Sequence, residues 1–171
     1  HRTATYKVLH SGAGGKNGSL GDRFALPFGQ ITQRRQMTFI PMLQFQGNCA
    51  AAMARYAEIF EADDLTLLRY FEGPEEANLP RSDHVMKAEM KVAGSILRGM
   101  DFPPGLVGDP QAAVAINWQV PDMQEGQRIY NLLAKDGWPI LPFGTSAWAK
   151  GFGLLRDAFG THWMIICDLE I

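Results

Sequence analysis

Cysteine is scarce: Cys49 and Cys167 are the only two in 171 residues, and no CxxC pair exists. That excludes a disulfide framework and the thiolate zinc sites built on such spacing. Two reduced thiols fit a cytoplasmic protein. Long apolar runs are absent as well, and none approaches the ~18 residues of a membrane span. Charge of one sign is also lacking. The net charge is −2, with 20% charged residues, which gives nucleic acid no electrostatic footprint. A phosphate loop is missing too: in the Gly-rich stretch around Lys16, His10 and Asn17 stand where GxxxxGK[ST] requires Gly and Ser or Thr.

The balanced charge hides an asymmetry. Residues 1–36 carry six basic side chains against the single Asp22, a net +5, which leaves −7 on the remainder. The segment is rich in Gly, Ser and Thr and has no hydrophobic period, so it reads as a basic flexible leader outside the fold. The expected domain is 37–171, with module one at 37–109 and module two at 110–171.

Two stretches share one grammar. LQFQGNCAAAMARYAEIF (43–60) and NWQVPDMQEGQRIYNLLA (117–134) each give a short strand, a turn with Asn or Asp, and an amphipathic helix. Asn48 and Asp122 lie 74 residues apart, as do Tyr56 and Tyr130. Asn48 and Asp122 suit helix N-caps. Met53, Tyr56 and Phe60 form one helical stripe, and Met123, Tyr130 and Leu133 another. Strand signals follow each helix. Met86, Ala88, Met90 and Val92 alternate with Lys87, Glu89 and Lys91 before an Ala93-Gly94 turn and SILRGMD. In the second half WPILPF precedes FGLLR and THWMIIC, joined through Asp157-Ala158-Phe159-Gly160. Each half reads β-α-β-β-β, and the Pro/Gly-rich 101–110 links them.

Two such modules in tandem, with FQGNCAAAMARY, LLRYFEGP, AEMKVAGSILRGMD, AWAKGFGLLRDAFG and THWMI, resemble the vicinal oxygen chelate superfamily of glyoxalase I, bleomycin-resistance proteins and extradiol dioxygenases. More narrowly, residues 39–168 resemble its PhnB-like branch, whose members often carry the label 3-demethylubiquinone methyltransferase-like. The resemblance implies an α+β fold in which the modules form a curved mixed sheet around a cavity. It also implies a homodimer, with exchange of modules between chains left open.

The superfamily holds a divalent metal with four side chains, two from the first strands and two from the last strands of the modules. Carried onto this chain, those positions are Pro41, Arg98, Ala115 and Met164. None offers an oxygen or nitrogen donor suited to a hard ion. No cofactor is therefore expected, with a divalent metal as the alternative. In the strand VMKAEM, where the branch commonly has His, this chain has Lys87; Glu89 matches.

By alternation, Leu43 and Phe45 share the cavity face of Pro41, Asn117 and Gln119 that of Ala115, and His162 and Ile166 that of Met164. Ile116, Trp118, Val120, Trp163, Ile165 and Cys167 belong under the helices, and Gln44 and Gln46 fall on the helix side with no evident reason. The candidate ligand pocket comprises Phe45, Arg98, Asn117, Gln119, Trp148, His162 and Met164: apolar walls with a few converging polar groups. Arg98 would supply a fixed positive charge for a carboxylate, phosphonate or enolate. His162 reads first as a strand-end residue, and Trp148 as a loop aromatic over the opening.

Three functions follow: a metal-free protein that binds a small organic ligand, for which Arg98 favours an anionic group; a divalent-metal-dependent lyase, isomerase or dioxygenase; and a structural or regulatory dimer without ligand. An S-adenosylmethionine enzyme of the common class is not among them, since 37–171 has no Gly-rich turn after a first strand with an acid after the second. No catalytic residue is assigned.

Overall fold

The computed structural model describes residues 39–74 and 81–169. The basic segment 1–36 lies outside the described residues. Each half adopts the same order. The first contains β1 (Met42–Phe45), α1 (Cys49–Ile59), β2 (Asp64–Arg69), β3 (Val85–Val92) and β4 (Ser95–Asp101). The second contains β5 (Ala115–Val120), α2 (Met123–Ala134), β6 (Trp138–Gly144), β7 (Ala149–Arg156) and β8 (His162–Leu169).

The halves build two four-stranded mixed sheets rather than one, in the orders β1-β4-β3-β2 and β5-β8-β7-β6. In each, the first strand runs parallel to the last, and the remaining pairs are antiparallel. The hairpins follow from turn chemistry. Ala93 and Gly94 both take positive φ, which matches the right-handed strand twist, and Val92 pairs with Ser95. In the second hairpin Gly160 supplies the positive φ, its N–H bonds to Asp157 O, and Asp157 N–H bonds to Thr161 O.

One face of each sheet is buried under its helix. In module one this core side carries Leu43, Phe45, Ala88, Met90, Val92 and Leu97 against Met53, Tyr56 and Ile59 of α1. In module two it carries Val120, Trp163, Ile165 and Cys167, with Ile116 and Trp118 partly buried, against Ile129, Tyr130 and Leu133 of α2. The second-module assignment is the one alternation predicts. The first-module assignment is inverted: Leu43 and Phe45 face the helix, and Met42 and Gln44 face outward.

The inversion has a single cause. Between β1 and α1 stand three residues, Gln46, Gly47 and Asn48; between β5 and α2 stand two, Pro121 and Asp122. The 74-residue offset that aligns the helices therefore misaligns the first strands by one residue, and a slip of one turns every side chain to the other face. The extra residue is Gly47, at φ +93. The same slip moves Pro41 onto the core side with Leu43, so it is not the counterpart of Ala115.

The helix starts differ too. Asp122 Oδ1 accepts from Glu125 N at 2.8 Å, an ordinary N-cap. Asn48 makes no such bond. Instead Asp101, buried at the end of β4, accepts from Gly47 N and Cys49 N through Oδ1 and from Val85 N through Oδ2, at 2.7 to 3.0 Å. Met123, at the exposed start of α2, lies outside the buried stripe its spacing suggests.

The modules meet on their core sides. Phe60 lies tilted against Trp118 and Trp163, with ring centroids 4.6 and 5.0 Å away. Tyr56 donates to Asp157 Oδ2 at 2.6 Å, and Trp163 Nε1 donates to the same oxygen at 2.8 Å. Asp157 Oδ1 accepts from the Phe159 and Thr161 amides. Burial, together with the Asp157 carboxylate beside it, pushes the Tyr56 hydroxyl well above the ordinary tyrosine range.

Candidate functional site

Because the modules join through their core sides, the other face of each sheet is open. Register lays the open-face residues in rows. Across the first sheet the central row is Met42–Arg98–Glu89–Thr66. Across the second it is Asn117–Met164–Leu154–Leu141. Flanking it are Ala115–His162–Arg156–Trp138 and Gln119–Ile166–Phe152–Gly144.

Four of the seven sequence candidates, Asn117, Gln119, His162 and Met164, thus share the open face of the second sheet. Trp148, half-exposed, leans on that face, with its ring 4.7 Å from Phe152. Arg98 stands on the open face of the first sheet, and no described hydrogen bond joins it to the other five. Phe45 is a correction: its side chain is buried on the core side, because of the extra residue at Gly47, and does not reach either open face.

The second open face is mixed: Arg156 pairs across from His162, and Lys150 bonds Asp168 beyond the Gln119 row. His162 Nδ1 is buried and lacks a hydrogen-bond partner, alone among the described buried side-chain nitrogens and oxygens. Such an atom has lost water without compensation, so it favours any partner that reaches it. Asn117 and Gln119 add exposed amides, and Leu141, Leu154, Phe152 and Trp138 add apolar wall.

The first open face is charged. Arg98 Nε donates to Glu89 Oε2 at 2.8 Å, and Lys87 Nζ lies 3.9 Å from the same oxygen. The Arg98 guanidinium holds the Glu89 carboxyl below the usual carboxylate range, chiefly by this hydrogen bond. Because only Nε is used there, the two terminal nitrogens of Arg98 keep the planar fork that suits an anion.

Metal chemistry can be tested against the donor set. Arg98 and Met164 do occupy equivalent places, each between a first strand and a third. Their first-strand neighbours are Met42 and Asn117. Pro41, on the core side, is replaced as an open-face candidate by Met42. The positions therefore supply a thioether, a guanidinium, an amide and alkyl groups, while Glu89 is engaged by Arg98. Among the described residues no three His, Cys, Asp or Glu side chains cluster. This set does not fit a hard divalent ion.

Residues that sequence reasoning passed over are Leu141, Phe152, Leu154, Arg156 and Trp138. Phe152 and Leu154 alternate with Gly151 and Gly153, and the glycines face the helix. A Cβ on Gly151 would come 2.5 Å from Met123 Sδ, and one on Gly153 would come 2.9 Å from the Tyr130 ring. The helix sits too close for side chains, so the apolar residues of β7 that alternate with them line the open face.

Comparison with known proteins agrees with this architecture. The 3-demethylubiquinone-9 3-methyltransferase family model matches residues 37–166. Protein YjdN of Escherichia coli K12 is 30% identical over 140 residues, covering 75% of this chain and 94% of that protein. The structure of PA1353 from Pseudomonas aeruginosa superposes with a TM-score of 0.72 at 29% identity, over 78% of this chain and 98% of that one. A PhnB protein from Bacillus cereus, described as a putative 3-demethylubiquinone-9 3-methyltransferase, gives 0.61 at 23%, over 77% and 100%. No helix of the described residues is long and apolar enough to cross a membrane. By its sequence match over residues 37–166, the chain belongs to the 3-demethylubiquinone-9 3-methyltransferase family.

Proposed function

We propose that this protein binds a small organic ligand on the open face of the second sheet, without a metal. The observation that carries the reading is His162 Nδ1, buried and unpartnered beside Met164 and Ala115 on a face walled by Leu154, Phe152 and Leu141. An apolar surface with few unsatisfied polar groups is the ordinary chemistry of a small-molecule site.

A single chain leaves that face open. We propose that a second copy covers it, laying its first-sheet face, with Arg98, across the second-sheet face of its partner in a module-exchanged homodimer. The exposure of Met42, Leu141, Trp138 and Trp148 supports a covering partner, because isolated chains seldom leave such a stretch bare. Arg98 then brings its guanidinium fork to a face where Arg156 adds a second cation and the Asp168 carboxylate is already engaged by Lys150, which favours a ligand with a carboxylate, phosphonate or enolate oxygen. The methyltransferase in the family's name is not carried over: the parallel pairs β1/β4 and β5/β8 are each followed by no Gly-rich phosphate or nucleotide turn. Buried thiols at Cys49 and Cys167 support a cytoplasmic setting, and burial pushes Cys49 up to about 12.

The test combines a thermal-shift screen of small carboxylates and phosphonates with sedimentation. At a hundred times its dissociation constant a ligand adds about 2.7 kcal/mol to native stability. Hits should require both Arg98 and His162, so Arg98→Met and His162→Phe abolish the shift, and the protein sediments as a dimer. No stabilising ligand, or shifts unchanged in both variants, overturns the reading. Stoichiometric zinc, nickel, iron or manganese in purified protein favours the metal-dependent enzyme instead.

A further inference from the structure

The open faces are not the only exposed surfaces. On the core side, where the modules meet beyond the end of α1, lies a cleft of about 390 Å³. Its walls come from both sheets: Met90 and Leu97 from the first, Ile116, Trp118 and Trp163 from the second, with Phe60 between them. We infer that this cleft is a second binding site, which adjoins the open-face site at Asn117 and lies otherwise on the core side, and that it takes a small neutral apolar molecule, aromatic or alicyclic.

Three observations carry the inference. Size comes first: native cores pack at crystal density, with few voids larger than a water molecule, and 390 Å³ lies in the range of ligand pockets. Chemistry comes second. No Asp, Glu, Lys, Arg or His lines the cleft; Ser95 and Asn117 are its polar residues. A space with apolar walls holds water poorly and apolar molecules well. A charged ligand would find no counter-charge there, which separates this site from one built around Arg98.

Shape is the third. Phe60, tilted at 50° to Trp118 and at 43° to Trp163, offers ring faces and edges together. Trp163 is 1% exposed and Phe60 6%, and Trp163 is anchored by its Nε1 bond to Asp157. The aromatic floor is therefore held in place before any ligand arrives, so little ordering cost falls on binding.

The experiment uses the full chain and N-phenyl-1-naphthylamine, a neutral fluorescent hydrocarbon-like amine. The expected result is saturable binding of one probe per chain, with quenching of tryptophan emission. Nuclear Overhauser contacts should run from the probe to the methyls of Ile116, Leu97 and Met90. Filling the cleft with Ile116→Trp or Val92→Phe should weaken the probe about tenfold or more, the effect of replacing ligand volume with side chain. Arg98→Met should leave affinity unchanged, since it acts on the other site. The inference is overturned by absence of saturable binding, or by contacts to Met164 and Leu154 in place of Ile116 and Leu97. It is equally overturned if the methyls of the probe-free cleft already contact a second copy. The methyl contacts are read on the unaltered protein, so they decide the matter even if neither filled variant folds.

Discussion

The two central rows of the open faces occupy the same place in the same fold and share no chemistry. Where module one has Arg98 paired with Glu89, module two has Met164 beside Leu154. Where module one starts its row with Met42, module two starts with Asn117. The core sides, by contrast, are alike: β-branched and large apolar residues under a helix, with glycines where the helix presses closest. Packing holds the buried faces to one pattern, and it leaves the open faces free to differ, so one central row is charged and the other apolar.

The largest test of this comparison concerns the turn that separates the halves. Removal of Gly47 gives module one the two-residue connection of Pro121-Asp122. Either β1 slips by a residue, turning Leu43 and Phe45 out of the core, or the Cys49 amide leaves Asp101. Two large apolar side chains at roughly 2 kcal/mol each put the loss at about 4 kcal/mol, read as the midpoint of urea unfolding. A deletion variant of unchanged stability would show that register is not set by this turn.

Asp157 comes next, because it ties the two halves together. It accepts four bonds, two from side chains, Tyr56 and Trp163, and two from the Phe159 and Thr161 amides. Asp157→Ala leaves Trp163 Nε1 and the Thr161 amide buried without a partner, while Tyr56 keeps Thr161 Oγ1 at 3.1 Å, and should cost about 3 kcal/mol; Tyr56→Phe, which removes one donor and leaves the carboxylate its other three, should cost about 1 kcal/mol. Equal losses in the two variants would mean that the tyrosine hydroxyl, and not the carboxylate, organises the junction.

Most of the fold was legible because periodicity reports burial directly. SILRGMD and the Asp157–Gly160 turn fall where alternation and turn chemistry place them. The strand Asp64–Arg69 was not, because its burial is slight and the alternation of Leu65 and Leu67 breaks at Leu68. The candidate site was half legible. Asn117, Gln119, His162 and Met164 lie on a regular strand pair, so period two finds their face. Phe45 and Pro41 were assigned by an offset that the helices obey and the strands do not. Phe152 and Leu154 escaped because apolar residues are read as core, while here the core positions of β7 are glycines that leave room for α2. The buried Nδ1 of His162 is a property of packing, and no sequence pattern signals it.

Reactivity of the thiols offers a milder check on the likeness of the core sides. Burial raises both Cys49, at the start of α1, and Cys167, in β8. Neither should react with a thiol-exchange reagent at neutral pH in the native protein, because the thiolate is the nucleophile. Both should react within the unfolding time once urea is added. Prompt labelling of one alone would show that its module opens independently.

The smallest effect belongs to the open faces themselves. Glu89 titrates lower in the folded chain than its unfolded value of about 4.3. The carboxylate partnered by Arg98 therefore contributes stability that is fully present above that pH and is lost as pH falls through the lower folded value. The melting temperature of the unaltered protein should decline more steeply below about pH 4 than that of Arg98→Met,Glu89→Leu, whose central row copies the Met164–Leu154 pair. At neutral pH the two proteins should differ little, because a partly exposed ion pair is screened and contributes little. The doubled apolar face should instead reveal itself in association, through dimers whose sedimentation no longer depends on salt. If the pH profiles coincide, the Arg98–Glu89 pair is not what sets the first face apart, and its charge belongs wholly to what that face meets.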